Sequence, residues 1–251
     1  MKTGIGILDI YDDDSLKNCL DNIPENYYVC VISNRQTSYK DKKINNYIRV
    51  NDVSLAHMRN LILYDFRINE LDYYFILHSD QVIENSNIFE KIQKTAETFG
   101  TWFLSGYIND KTLDIEDDKN HETVLKISNN LNSKFLYTFK GIIKTFGFFD
   151  EQFVNSHDLD VYDYITRLRN KKMYTPNGFY PTISIKMLEN KKTIKNPYIK
   201  DFPSEDNSVR YSYGYFMNKN KFIPNHNENK EASQQDVLES IEFLQENYAK
   251  K

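Results

Sequence analysis

The first residues that could do chemistry are His78-Ser79-Asp80, which directly follow the apolar run YYFIL at Tyr73 to Leu77. Side chains alternate along an extended chain, so His78 and Asp80 can point the same way. They could then bind a metal ion together, or act as an acid and the partner that orients it. Such short motifs also occur by chance. On spacing alone, a loop capped by polar residues is the favoured interpretation.

A second cluster, His157-Asp158-Leu159-Asp160, stands at the start of a helix predicted over Leu159 to Leu168. The helix macrodipole favours acidic residues in the first turn, and Asp158 can also serve as a cap. Taken alone, this cluster therefore predicts the start of a helix and no reaction.

The elements that would position these clusters alternate between strand-like and helix-like segments. The predicted strands are Gly4 to Ile10, Tyr28 to Ser33, Tyr47 to Val50 and Tyr73 to Leu77. The predicted helices are Ser15 to Ile23, Leu55 to Phe66 with Ser54 as its cap, and a segment with Ile88, Ile92, Ala96 and Phe99 on one face. This alternation predicts one α/β domain, with a mostly parallel sheet and helices on both faces. Ligands of such sheets bind at the carboxyl ends of the strands.

The middle and the end of the chain are less regular. Strands are predicted at Trp102 to Tyr107, Phe135 to Phe139 and Thr182 to Ile185, with a shorter candidate at Met173 to Thr175. Residues 109–132 are polar and predict a surface excursion, and residues 190–229 form an irregular segment. Within the latter, Tyr211 to Phe216 could be a strand or could stack on sugar faces. A terminal amphipathic helix is predicted from the apolar stripe Val237, Leu238, Ile241, Leu244 and Tyr248.

Composition excludes several classes of protein. With 251 residues, 16 Phe and 19 Tyr, the chain can bury a large core, which excludes wholesale disorder. The net charge of −4 gives no support for a nucleic-acid partner. No stretch approaches the roughly 20 apolar residues of a transmembrane helix, and no signal-peptide region precedes the first strand. We therefore expect a cytoplasmic protein, in which Cys19 and Cys30 are buried small hydrophobes.

Five features, in a fixed order, resemble family 2 glycosyltransferases of the GT-A fold. They are the strand and polar turn GIGILDIYDDD, the helix with Arg59-Asn60, the strand that ends in His78-Ser79-Asp80, the segment KGIIKTFGFFDEQF, and HDLDVYDYITRLRNKK. In the family, the fourth feature is a glycine-rich strand and a Gly-Phe-Asp-Glu-x-Phe turn, and the fifth is an acidic pair followed by a helix that contains arginine. The resemblance covers residues 4–176 and implies a single GT-A-like, Rossmann-type domain.

The resemblance implies a metal site and a cofactor. Asp80 stands at the last aspartate of the family's acidic triplet, which binds a divalent ion on the donor diphosphate. His78 stands where the first aspartate usually is, and imidazole suits Mn²⁺ better than Mg²⁺. His226 stands in a late loop, where many GT-A enzymes return a histidine to the metal. The implied cofactor is Mn²⁺ or Mg²⁺.

The resemblance also implies a catalytic base and a nucleotide site. Asp158 stands at the aspartate of the acidic pair, which resembles the base of inverting members, and His157 replaces the glutamate. Arg59, Tyr11 and the turn Ser33-Asn34 would line the nucleotide site. The implied halves are residues 1–107 for the nucleotide sugar and 134–185 for the acceptor, followed by C-terminal loops and a helix over 186–251.

The implied activity is transfer of a sugar from a nucleotide-diphosphate donor to a hydroxyl of a glycan, lipid-linked or protein acceptor, with inversion. One alternative is a non-catalytic GT-A-like module that binds carbohydrate or protein, in which the two histidines mark a lost metal site. A second alternative is a sugar-nucleotide nucleotidyltransferase. It ranks last, because the turn Tyr11-Asp12-Asp13-Asp14 is acidic, whereas that class needs a glycine-rich, basic loop.

Overall fold

The computed structural model describes residues 1–36, 38–83, 86–99, 103–108, 125–128, 132–154, 159–170, 180–185, 187–189, 211–212, 215–216 and 218–220. The strands of this part are β1 (Thr3–Asp9), β2 (Tyr28–Ser33), β3 (Asn46–Arg49), β4 (Tyr73–His78), β5 (Gln81–Ile83), β6 (Phe103–Ile108), β7 (Leu125–Ser128), β8 (Asn132–Phe139), β9 (Tyr180–Ile185) and β10 (Met187–Glu189). The longer helices are α1 (Asp13–Asp21), α2 (Leu55–Ile68), α3 (Ile88–Phe99), α4 (Lys140–Phe146) and α5 (Leu159–Asn170).

The main sheet has the strand order β3-β2-β1-β4-β8-β6-β9-β7 among the described residues. Strands β1 to β4 run parallel to one another, as the alternation of strands and helices predicts. Strand β8 is inserted antiparallel between β4 and β6, so its amino end lies beside the carboxyl end of β4. β5 and β10 form a separate antiparallel ribbon.

Helices cover both faces of the sheet, which confirms the predicted α/β architecture. Because side chains alternate along a strand, Ile5 and Ile7 of β1 pack on one face while Leu8 packs on the other. The face with Leu8 is covered by α2 and α5, and the opposite face by α1 and α3. Cys19 and Cys30 are free and buried, one in each of the two cores.

Helix α2 lies close against β1 because β1 has glycine where the two meet. A Cβ on Gly6 would stand only 2.2 Å from Cγ2 of Ile62. Ser54 caps this helix as predicted, since its Oγ accepts a hydrogen bond from His57 N at 3.1 Å. The close packing fixes α2 against the central strand and thereby places the Arg59-Asn60 pair. None of the described helices is long and apolar enough to cross a membrane.

Several elements differ from the sequence-based expectations. Helix α1 begins at Asp13 and not at Ser15, because the Asp12 side chain accepts a hydrogen bond from Ser15 N and caps the helix two residues earlier. The polar segment 109–132 contains the short edge strand β7. Its two apolar residues, Leu125 and Ile127, are too few among polar neighbours to give a strand pattern in the sequence.

The segment that the resemblance assigned to a glycine-rich strand is instead helix α4. Gly147 ends this helix with a φ of +77°, a left-handed backbone conformation that favours glycine. Tyr211, Ser212, Tyr215 and Phe216 are helical, so the strand interpretation of this stretch is wrong. The terminal amphipathic helix and the candidate strand Met173 to Thr175 lie outside the described residues.

Candidate functional site

The carboxyl ends of β1, β2 and β4 meet at one edge of the sheet. The strand register places Asp9 beside Ser33 and Leu8 beside His78. The backbone continues this edge past β4, where Ser79 N donates to Leu8 O at 3.0 Å. The structure therefore brings Ser33, His78 and Asp80 together at the sheet edge where α/β proteins bind ligands.

Asp80 forms an ion pair at this edge. Lys134 Nζ donates to its Oδ2 at 2.8 Å, and Gln81 Nε2 donates to its Oδ1 at 2.9 Å. The Asp80 side chain is 1% exposed and the Lys134 side chain 26%. The carboxylate is thus buried, whereas the lysine side chain is partly exposed.

His78 is buried behind Asp80 and neutral. Burial and the nearby Arg59 charge lower its pKa to about 3. Its Nε2 lies 3.4 Å from Arg59 Nη2. Because a guanidinium can only donate, Nε2 is the acceptor and the proton is on Nδ1, which has no hydrogen-bond partner within the described part of the chain.

Arg59 connects α2 with the first turn of α5. Its Nη1 donates a short hydrogen bond to Oδ2 of Asp160, and both side chains are 0% exposed. The guanidinium also lies 5.8 Å from the ring centroid of Phe149. Arg59 is therefore part of a buried network behind His78, and the nucleotide contact that the resemblance implies remains a prediction.

Asn60, the neighbour of Arg59, holds the turn before α5. Its Oδ1 accepts from Phe149 N at 2.8 Å, and its Nδ2 donates to Phe149 O at 2.9 Å and to Glu151 Oε1 at 2.8 Å. His57 Nδ1 lies 2.8 Å from the other oxygen of Glu151. Burial would raise the pKa of Glu151, but the hydrogen bonds from Asn60 and His57 outweigh it and lower that pKa.

Two consecutive residues of α2 therefore anchor the chain on both sides of residues 155–158. Asn60 fixes the turn that precedes this segment, and Arg59 fixes Asp160, which follows it. Asp158, the predicted base, and His157 belong to this segment, which is outside the described residues; His226, much further along the chain, is also outside them. These contacts give the Arg59-Asn60 pair a structural task that the sequence pattern alone does not suggest.

The predicted nucleotide residues lie around the ends of β1 and β2. Ser33 is buried, and its Oγ accepts a hydrogen bond from Arg35 N at 3.2 Å. Asn34 and Tyr11 are half-buried, and Tyr11 packs against the core on the α2 face. Nucleotide binding by these three residues remains a prediction.

Sequence reasoning missed a charged cluster at the same place. Arg35 Nε donates to Oδ2 of Asp9 at 2.8 Å, and its Nη1 donates to Oδ1 of Asp13. Burial raises the pKa of Asp9 although Arg35 lies beside it. An aspartate inside the apolar run GIGILDI was the available signal, because a buried carboxylate needs a cationic partner.

The described residues do not fit a metal site. Both oxygens of Asp80 already accept hydrogen bonds, one of them from an ammonium whose charge would repel a metal ion on the same carboxylate. Neither nitrogen of His78 offers a lone pair toward the edge, since one accepts from Arg59 and the other carries the proton. Among the described residues, no group of three His, Cys, Asp or Glu side chains could hold a metal ion.

A helical stretch with two tyrosines is tied to the turn before α5. Lys219 Nζ donates to Asp150 Oδ2 at 2.6 Å and to Asp163 at 3.0 Å. Tyr215 donates to the same Asp150 oxygen at 2.9 Å, and its ring is stacked with that of Tyr211 at a centroid distance of 6.3 Å. The stretch therefore stands beside the predicted acceptor half, where stacking of a sugar on Tyr211 remains a prediction.

Solved structures resemble this chain in fold at low sequence identity. The structure of S. aureus TarS 1-349 has a TM-score of 0.50 and 15% identity over 76% of this chain. The mannosyltransferase PcManGT from Pyrobaculum calidifontis, in complex with GDP-Man and Mn²⁺, has a TM-score of 0.52 and 12% identity over 74% of this chain.

The chain matches only 59% and 55% of the lengths of these two structures. No family model and no curated protein sequence matches this chain. The likeness therefore establishes the fold and leaves the activity to be argued from the site. This chain has the GT-A-like fold of glycosyltransferases.

Proposed function

We propose that this protein transfers a sugar from a nucleotide-diphosphate donor to an acceptor hydroxyl by a single displacement with inversion. The observation that carries the proposal is that Arg59 and Asn60, neighbours on α2, hold the described residues on either side of 155–158, namely Asp160 and Phe149. A catalytic base needs a fixed position, because the reaction is fast only when the reacting groups are held in the right alignment. The mannosyltransferase of similar fold, which holds GDP-Man, supports a nucleotide sugar as the donor.

Transfer requires the acceptor hydroxyl to lose a proton as it attacks the anomeric carbon. Asp158 is the residue that we propose accepts this proton. The bond from the anomeric carbon to the diphosphate oxygen breaks as the new glycosidic bond forms on the opposite face, which inverts the configuration. Tyr11, Ser33 and Asn34 would bind the nucleotide at the ends of β1 and β2.

The resemblance implies Mn²⁺ or Mg²⁺ held by Asp80, His78 and His226, and the similar mannosyltransferase holds Mn²⁺. The hydrogen bonds of Asp80 and His78 argue against these two as ligands. We therefore assign no step of the proposed reaction to a metal ion. The acceptor class, whether glycan, lipid-linked or protein, and a cytoplasmic location remain parts of the proposal.

The test is release of UDP or GDP from a panel of nucleotide sugars by the full chain, with the Asp158→Asn variant beside the wild type. If Asp158 is the base, turnover should fall by roughly 10²–10⁴-fold, the usual contribution of general acid–base catalysis. Donor binding, measured by calorimetry, should hardly change, because the base contacts the acceptor.

Asp14→Asn is the matched control, since it removes the same charge from the exposed first turn of helix α1 and should leave turnover unchanged. Full transferase activity of Asp158→Asn on the acceptor would remove Asp158 from the mechanism. A wild type that binds carbohydrate but releases no nucleotide from any donor would favour the non-catalytic module. The observation that favours this alternative is the ion pair of Asp80 with Lys134, because it occupies the carboxylate that the resemblance assigns to the metal.

A further inference from the structure

We propose that the ammonium of Lys134, and not a metal ion, provides the positive charge that binds the donor diphosphate. This inference rests on the proposed transferase function and specifies how its donor is held. The observation that carries it is the ion pair of Lys134 Nζ with Asp80 Oδ2, at 2.8 Å. The pair occupies the place where the resemblance implies a metal-binding carboxylate.

The strand topology brings Lys134 to this place. β8 runs antiparallel to β4, and its register pairs Leu77 with Phe135. Lys134 precedes Phe135 in β8, and its Nζ reaches Asp80, two residues past the end of β4. The lysine thus comes from a part of the chain 54 residues beyond Asp80. The ammonium stands at the ligand-binding edge of the sheet.

The two side chains of the pair differ in burial. The Asp80 side chain is 1% exposed and is held from its other oxygen by Gln81, whereas the Lys134 side chain is 26% exposed. The buried carboxylate therefore holds a lysine whose side chain is partly exposed at this edge. Lysine binds phosphate as a point charge, and an ammonium so placed would compensate the charge of a leaving diphosphate.

Arg59, the cation that lies beside His78, is paired with a carboxylate of its own, Asp160. A divalent ion bound to Asp80 would lie close to the Lys134 ammonium, and the two positive charges would repel each other. The described side chains thus favour an organic cation over a metal at this position.

The test is calorimetry of UDP and GDP binding by the full chain, once in EDTA and once with Mn²⁺. We expect the wild type to bind one of the two nucleotides equally well in both conditions. Lys134→Gln should weaken binding in EDTA by about 10- to 100-fold, the usual effect of losing a hydrogen bond to a charged group. Lys134→Arg should keep most of the affinity, because guanidinium also binds phosphate.

Lys140→Gln is the control, since it removes an exposed lysine that is paired with Asp72 away from this edge. Binding by the wild type only with Mn²⁺ would overturn the role of Lys134 and leave the transferase function standing. Undiminished binding by Lys134→Gln in EDTA would overturn it as well. If the wild type binds neither nucleotide in either condition, the proposed transferase function fails, and the role of Lys134 fails with it.

Discussion

Replacement of Arg59 by Met should reduce the free energy of unfolding by roughly 3–5 kcal/mol, the usual cost of removing one partner of a buried ion pair. The structure places the variant in this range because both Arg59 and Asp160 are 0% exposed and are joined directly. The variant would leave the Asp160 carboxylate buried without its cation and would also remove the donor to His78 Nε2. For a protein of this size, the loss corresponds to a drop of about 6–20 °C in melting temperature.

Urea denaturation followed by circular dichroism measures this loss, and two further variants make the test specific. Arg67→Met removes an exposed arginine from the last turn of the same helix, and its effect should stay within about 0.5 kcal/mol. The double variant Arg59→Met/Asp160→Leu removes both buried charges. It should recover much of the loss, because apolar replacement of a whole buried pair is often close to neutral.

Equal stabilities of Arg59→Met and Arg67→Met would refute this reasoning, since the buried pair would then contribute nothing. The reasoning would also be refuted if the double variant lost as much unfolding free energy as Arg59→Met and Asp160→Leu lose together. Two groups in direct contact should show a coupling energy of about 0.5–3 kcal/mol. Activity is not needed for any of these measurements, so the test is independent of the proposed function.

Two further predictions concern His78 and Gly6. Burial lowers the pKa of His78 to about 3. The neutral, buried imidazole therefore makes its full contribution to stability above the unfolded pKa near 6.5, and this contribution is lost as the pH falls from about 6.5 toward 3. The free energy of unfolding should fall with a limiting slope of about 1.4 kcal/mol per pH unit once the pH is about one unit below 6.5, between about pH 5.5 and 4. In urea titrations at several pH values, His78→Asn should lack this part of the pH dependence of the unfolding free energy. If wild type and variant show the same dependence on pH, His78 is not buried as a neutral imidazole. Gly6→Ala places a Cβ 2.2 Å from Ile62 and should destabilise the protein by about 1–3 kcal/mol. Ile62→Ala should lower the free energy of unfolding less in the Gly6→Ala background than in the wild type, because it relieves the clash. If the two substitutions lower it by strictly additive amounts, there is no such clash.

The sequence predicts the elements that its local patterns encode. The run of β-branched and aromatic residues at Tyr28 to Ser33 coincides with β2, and Ser54 caps α2 as expected. Periodicity reports which residues of one segment share a face, and a capping side chain contacts a backbone group three residues away. Both signals are contained within a few residues, which is why these elements and the parallel half of the sheet could be predicted.

The partners of the site residues could not be predicted in the same way. Asp160 looks like an acidic residue favoured by the macrodipole of α5, but the structure buries it against Arg59, 101 positions earlier. Lys134 looks like a surface lysine of a strand until the antiparallel insertion of β8 brings it to Asp80. Pairings of this kind depend on strand order and register, and no local pattern in a single sequence encodes either.

For the reaction that we propose, these pairings bear on which carboxylate could act as the base. Among the described residues at the ligand-binding edge, the buried carboxylates are Asp9, Asp80 and Asp160, and each is paired with a cation. Asp160 is fully buried against Arg59, so taking it out of this pair to act on a substrate would cost several kcal/mol, and Asp9 is held in place by Arg35. Asp80 already holds Lys134. On the proposed mechanism the base would be a carboxylate outside these three pairs, and Asp158, which comes between the turn held by Asn60 and the Asp160 held by Arg59 in the chain, remains our proposal for it.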